Sequence, residues 1–117
     1  MARTMQQILE HHNRAVLSGD YEEMLEDYAD DAVMITLKGT FRGKEAIKGV
    51  LENLLKNMPN MKPMKTSGDK LLVEGDTLLL RWSAESDIAT ISNAVDTMVV
   101  KNDKIWRQTT CFEIASR

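Results

Sequence analysis

Two side chains in this sequence could do proton chemistry from inside a fold. His12 falls one turn after Ile8 and Leu9, on the apolar face of a helix-type segment. An imidazole there can act as acid or base near neutral pH. Asp96 lies in a strand-type run, residues 94–100, where alternation puts it on one face with Ala94, Met98 and Val100. A carboxyl among apolar neighbours holds its proton to higher pH unless it is paired. If both faces border one cavity, His12 and Asp96 are expected to meet across it as a charge-coupled pair. The competing reading of each is structural: a satisfied core histidine, and an aspartate that is solvated or tied to an amide or arginine. His11, about 100° further round the helix, is expected at the solvent.

Further candidates follow from period two on the later strands. Trp106, Gln108, Thr110, Phe112 and Ile114 share a face. Aligned onward from Asp96, Gln108, Thr110 and Phe112 are expected to line the pocket, while Ile105, Arg107, Thr109 and Cys111 face a partner or water. Arg81, Ser83 and Glu85 share an outward or partner-facing side, which turns Trp82 and Ala84 to the core. Tyr28 ends the stripe of the second helix, and its hydroxyl is expected to reach the pocket. Six methionines (Met24, Met34, Met58, Met61, Met64, Met98) could fill core or line an adaptable apolar space. Cys111 has no basic neighbour at a readable spacing and is expected to be inert.

Several chemistries have no footing. There is one cysteine, so no internal disulfide and no cysteine-rich metal site. His11 and His12 are adjacent and cannot easily face one ion, so no metal set is read. No glycine-rich phosphate loop and no nucleophile elbow occurs. No cofactor is implied. The net charge is −3 with both signs mixed, which gives no basic face for nucleic acid. Apolar runs are too short to span a bilayer, and no signal-like stretch opens the chain. A cytoplasmic protein is the expectation.

The elements that must position these residues can be read in order. The length of 117 residues suits one domain, residues 1–117. Thr4 and Gln7 make a capping box for a first helix, and Gly19 suits its left-handed end. Asp20 and Glu23 open a second helix with the stripe Tyr21, Met24, Leu25 and Tyr28, broken at Asp30-Asp31. Residues 32–37 read as a strand, Lys38-Gly39 as a turn and residues 40–42 as a returning strand. Gly43 opens a third helix, with the stripe Ala46, Ile47, Val50, Leu51, Leu54 and Met58. Residues 60–64 read as a loop. Residues 65–73 and 77–85 flank the turn Glu74-Gly75-Asp76, and residues 89–100 and 104–115 flank Lys101-Asn102-Asp103. The order α-α-β-β-α-β-β-β-β predicts an α+β fold, with helices on one face of a curved antiparallel sheet.

With that order in place, Gly19-Asp20, Tyr28-Ala29-Asp30-Asp31-Ala32, Phe41-Arg42-Gly43-Lys44-Glu45-Ala46-Ile47 and the hairpin from Asp96-Thr97-Met98 to Ile105 carry a resemblance. The chain resembles the nuclear transport factor two-like superfamily, in its SnoaL-like and ketosteroid isomerase-like branch. That resemblance implies a cone-shaped sheet wrapped on three helices, with an apolar pocket at one end. It also implies site positions. The isomerases' carboxylate base falls at Thr36, whose hydroxyl is no base near neutral pH. Their oxyanion-hole tyrosine falls at His12, and their neutral aspartic acid at Asp96. Steroid isomerase activity is therefore not expected. Three readings follow. The first is an enzyme acting on an apolar, oxygenated small molecule through His12 and Asp96, with Tyr28, Thr36, Met98, Gln108, Thr110 and Phe112 lining its pocket. The second is a non-catalytic binding module with the same cavity. The third is a dimerisation domain with a filled core. A homodimer is expected under all three, because a sheet covered on one side leaves a second apolar-bearing face.

Overall fold

A computed structural model of the chain describes residues 3–117. Helix α1 (Met5–Ser18) starts at the expected capping box. Thr4 Oγ1 accepts from Gln7 N–H at 3.1 Å, and Gln7 Oε1 accepts from Thr4 N–H at 2.8 Å. It stops at Gly19, whose φ of +72° is reached without strain only by a residue lacking Cβ. Helix α2 (Tyr21–Glu26) is capped by Asp20. Helix α3 (Lys44–Asn57) follows Gly43.

The strands are β1 (Tyr28–Thr36), β2 (Gly39–Arg42), β3 (Lys62–Pro63), β4 (Lys70–Glu74), β5 (Thr77–Glu85), β6 (Ala89–Lys101), β7 (Lys104–Cys111) and β8 (Ile114–Ser116). They form one sheet in the order β2-β1-β7-β6-β5-β3, with β4 also on β5 and β8 also on β6. Three helices and a curved, unclosed sheet give the expected α+β class. Every pairing is antiparallel except β1 with β7, which is parallel, so the sheet is mixed.

Several boundaries differ from the sequence reading. Tyr28 does not end α2: that helix stops at Glu26, and Tyr28 begins β1. The Asp30-Asp31 pair lies within the strand and points to solvent. The loop at residues 60–64 contributes a two-residue strand, and the last expected strand divides into β7 and β8.

Two bulges change the facing of residues that strict alternation would assign. Trp82 pairs with Ala94, but Ala84 pairs with Ile91, so the ladder slips around Ser83. Ser83 lies opposite the extra β6 residue and is 3% exposed, against the expected outward placement. Its hydroxyl accepts from the Asn93 backbone N–H at 3.0 Å, and Asn93 has a φ of +58°. On β7, Ile105 pairs with Val100 and Arg107 with Val99, leaving Trp106 as the extra residue. Ile105 is consequently buried, not outward, and the Trp106 ring has the Lys101 and Arg107 cations within 4.9 Å and 3.7 Å of its centroid.

The helices lay Ile8, Leu9, Ala15, Met24, Ile47 and Leu51 on the concave side of the sheet, against Ala32, Met34, Leu78, Met98 and Ile105. A second apolar cluster (Met58, Ala84, Ala89, Ile91, Ala94) fills the end where β5 and β6 leave β4 and β7 for β3 and β8. Between the two clusters the packing is incomplete.

Candidate functional site

A cavity of about 240 Å³ occupies that gap. Helices α1 and α3 supply Val16, Leu17, Val50, Leu51 and Leu54, the sheet supplies Met34, Leu80, Trp82 and Ala84, and the link between β7 and β8 supplies Phe112. The polar groups on its wall are His12, Asn13, Ser83, Asp96, Gln108 and Thr110; no lysine, arginine or glutamate lines it. An apolar chamber with a few convergent polar groups is the usual form of a small-molecule site.

Asp96 projects from β6 beside the two β7 residues paired with its own neighbourhood, because Asp96 is opposite Thr110 and Met98 opposite Gln108. Thr110 Oγ1 donates to Asp96 Oδ1 at 2.5 Å, and Gln108 Nε2 donates to Oδ2 at 3.4 Å. Burial raises the carboxyl's pKa, and the bonds from Thr110 and Gln108 pull it back. The Trp82 indole also favours the anion, although its Nε1 makes no hydrogen bond within normal limits.

His12 is 5% exposed, its Nδ1 has no partner among the described residues, and it takes part in no hydrogen bond there. Burial lowers its pKa from 6.5 to about 4, the Asp27 charge opposes that, and neighbouring His11 adds to it. The ring is therefore a neutral imidazole at pH 7. It packs edge-on against Tyr28, with ring centroids 5.5 Å apart. His12 and Asp96 border the same cavity, but no hydrogen bond joins them and neither contributes to the other's pKa shift. The expected charge-coupled pair is not formed: each faces the cavity separately, His12 from a helix and Asp96 from the sheet.

Gln108, Thr110 and Phe112 lie on the cavity wall, where period two puts them. Three expected pocket residues do not. Met98 is 1% exposed and sits in the core beneath the floor, because the helix-facing cluster closes over it. Tyr28 is also sealed in the core, with its hydroxyl on Gln108 Oε1 at 2.5 Å. Thr36 is the last residue of β1, beside the turn, where its hydroxyl accepts from Lys38 N–H at 3.0 Å. It borders an adjoining open depression with Leu37, Asn53, Asn57 and Glu113, which shares Val50, Leu54, Thr110 and Phe112 with the cavity wall. Of the six methionines, Met34 and Met61 reach the cavity wall.

The residue that sequence reasoning missed is Asp27. It is fully buried, and its two oxygens take Arg3 Nη1 and His11 Nδ1, each at 2.7 Å. His11 is thus not free at the surface: its Nε2 also meets Glu23 at 2.7 Å. The hydrogen bond to Asp27, then that to Glu23, raises its pKa. His11, Glu23 and Glu26 bring ligand-type atoms within 4.8 Å of one another. Both ring nitrogens of His11 are engaged by carboxylates, so the group reads as an ion-pair network tying α1 to the end of α2. Its partners are 16 and 24 residues from Asp27, a separation that no local spacing reveals.

The shape and the sequence agree with a known class. The fold is that of NTF2-like proteins, and the SnoaL-like domain matches residues 9–108; the chain belongs to that family. It is similar to IdmH of Streptomyces antibioticus, described as a candidate polyketide cyclase, at 17% identity over 95% of this chain and 93% of that one, with a TM-score of 0.76. An NTF2-like protein of unknown function from Cytophaga hutchinsonii is similar at 15% identity over 97% and 93%, with a TM-score of 0.76. A de novo designed protein with a curved β-sheet is similar at 19% identity over 92% and 84%, with a TM-score of 0.72. Likeness of fold does not by itself carry an activity. No match is found among curated protein sequences. Among the described residues, no helix is long and apolar enough to cross a membrane.

Proposed function

We propose that this SnoaL-like domain is a small-molecule enzyme acting on an apolar, oxygen-bearing ligand by proton transfer. Asp96 takes a proton from a carbon beside a ligand carbonyl, and the neutral His12 donates a hydrogen bond to the oxygen that gains charge. The observation that carries this reading is the unpartnered imidazole, which shares one apolar chamber with a buried carboxylate that has no counter-cation. A buried polar atom left without a partner, as at His12 Nδ1, calls for an explanation such as a water or a catalytic role. A raised pKa makes Asp96 a stronger base while it stays ionised. The likeness to a candidate polyketide cyclase is consistent with carbonyl chemistry.

A second reading is a non-catalytic binding module. Thr36 favours it, since no carboxylate from β1 reaches the chamber. The two readings separate with 2-tetralone in D2O, whose α-deuteration is followed by proton NMR. The enzyme reading expects acceleration that falls by about 10²-fold or more in Asp96→Asn, the usual scale of general base catalysis. It also expects a smaller loss in His12→Phe. Binding of the ketone with no acceleration over buffer would leave the binding module in its place.

A further inference from the structure

We propose that Tyr28 is a positioning residue: through Gln108 it holds Asp96 as a hydrogen-bond acceptor, ready to take a proton. The catalytic meaning of this relay rests on the proton-transfer reading above.

A carboxamide between a phenol and a carboxyl group has two self-consistent arrangements. In the first, the phenol donates to Oε1 and Nε2 donates to an ionised carboxylate. In the second, the amide is turned over: a protonated carboxyl donates to Oε1, and Nε2 donates to the phenol oxygen. Distances separate them. The contact between Tyr28 and Gln108 is 2.5 Å, which suits O–H···O and is too short for N–H···O. The contact between Gln108 and Asp96 is a long 3.4 Å for either kind of donor, so the short Tyr28 contact is what sets the sense of the amide. The Tyr28 contact selects the first sense of the carboxamide, in which Nε2 faces Asp96 Oδ2 while Thr110 Oγ1 bonds Oδ1.

Tyr28 is well placed to enforce it. Its side chain is 1% exposed, and Gln108 is the partner its hydroxyl takes. The β1 ladder slips between Tyr28 and Val33: Tyr28 lies opposite Ile105 and Val33 opposite Arg107. That irregularity seats the phenol at the foot of the Gln108 side chain. The edge-on His12 ring packs on the Tyr28 ring, so the two polar sides of the cavity share one support. The titratable groups near Asp96 are Tyr28 on β1 and His12 on α1; its neighbours from β5 and β7 are uncharged. Without the phenol O–H, nothing sets the carboxamide's sense, and the turned-over arrangement with a protonated Asp96 becomes accessible.

The test is a titration of the Asp96 side-chain carbon by 13C NMR, assigned with Asp96→Asn; it needs no ligand. Tyr28→Phe is expected to raise the Asp96 midpoint by about one pH unit, the scale of losing a hydrogen bond to the charged form. Gln108→Leu should raise it comparably, and the double variant no further than Gln108→Leu alone. Thr110→Val, acting on the other oxygen, should add to either. An unchanged midpoint in Tyr28→Phe, or a double variant whose shift is the sum of the singles, overturns the relay. Failure of tetralone exchange with the midpoints moving as stated would instead defeat the catalytic reading alone.

Discussion

Replacing His12 by phenylalanine should change how acid unfolds this protein. The unfolded chain takes up a proton on His12 near the model-peptide value of 6.5, while the folded chain declines it until about 4. Between those values unfolding binds one more proton, so stability must fall as pH falls. The gap of about 2.5 pH units corresponds to about 3 kcal/mol, at 1.36 kcal/mol for each unit. Below pH 4 both states are protonated and this contribution is spent. Asp96 works the other way: its folded pKa is raised, so its contribution is greatest in acid and is lost as pH rises through that value. The two contributions run in opposite directions with pH, and the wild-type profile alone would hide each. Subtracting the His12→Phe profile from the wild-type profile isolates the imidazole, and phenylalanine keeps a ring against Tyr28. The assay is urea unfolding followed by circular dichroism from pH 7.5 to 3.5. The variant should gain about 3 kcal/mol on the wild type between pH 7 and pH 4. A difference that stays flat across this window refutes the claim that His12 is held neutral by burial.

Two other outcomes follow. Asp27→Ala strips a fully buried carboxylate from the partly exposed Arg3 and His11 and should destabilise the fold by about 1.5–3 kcal/mol, the scale of a hydrogen bond to a charged group, read by the same urea titration. We also propose that two copies pair through the outer face of the sheet. There Leu72, Leu79, Thr97, Thr109 and Ile35 stand in one row across five strands, with Leu72 55%, Leu79 38% and Ile35 48% exposed. Sedimentation should show a dimer at micromolar concentration and a monomer for Leu79→Lys; a monomeric wild type would contradict this.

Much of the architecture was legible because its signals are local. The Thr4–Gln7 box, Gly19 and the turn residues set element ends, and the helical and strand periods put His12, Asp96, Gln108, Thr110 and Phe112 on inward faces. What was not legible depends on register. A bulge shifts facing by one residue, and nothing in the composition around Ser83 or Trp106 marks the slip. Tyr28 extended the stripe of Tyr21, Met24 and Leu25 so well that it read as helix, although the chain turns at Asp27 before reaching it. Asp27 itself reads as one more acidic residue until Arg3 and His11 are seen on it. The coupling of His12 to Asp96 failed for a different reason: two faces can border one chamber without their polar atoms meeting.

The parallel seat of β1 against β7 has a consequence in time. Tyr28 and Gln108 are 80 residues apart, and Arg3 and Asp103 are 100 apart. Helices α1 and α2 and the β1–β2 hairpin leave the ribosome with no β7 yet made for the other edge of β1. Loops of that length close late, after local helices and hairpins have formed. The Tyr28–Gln108–Asp96 relay therefore comes into being with the docking of the penultimate strand, and no earlier folding stage contains it. A nascent or partly folded chain holds the cavity's helical roof but not the Asp96 carboxyl with its Thr110 and Gln108 partners, so the cavity's polar wall arrives together with the last long strand.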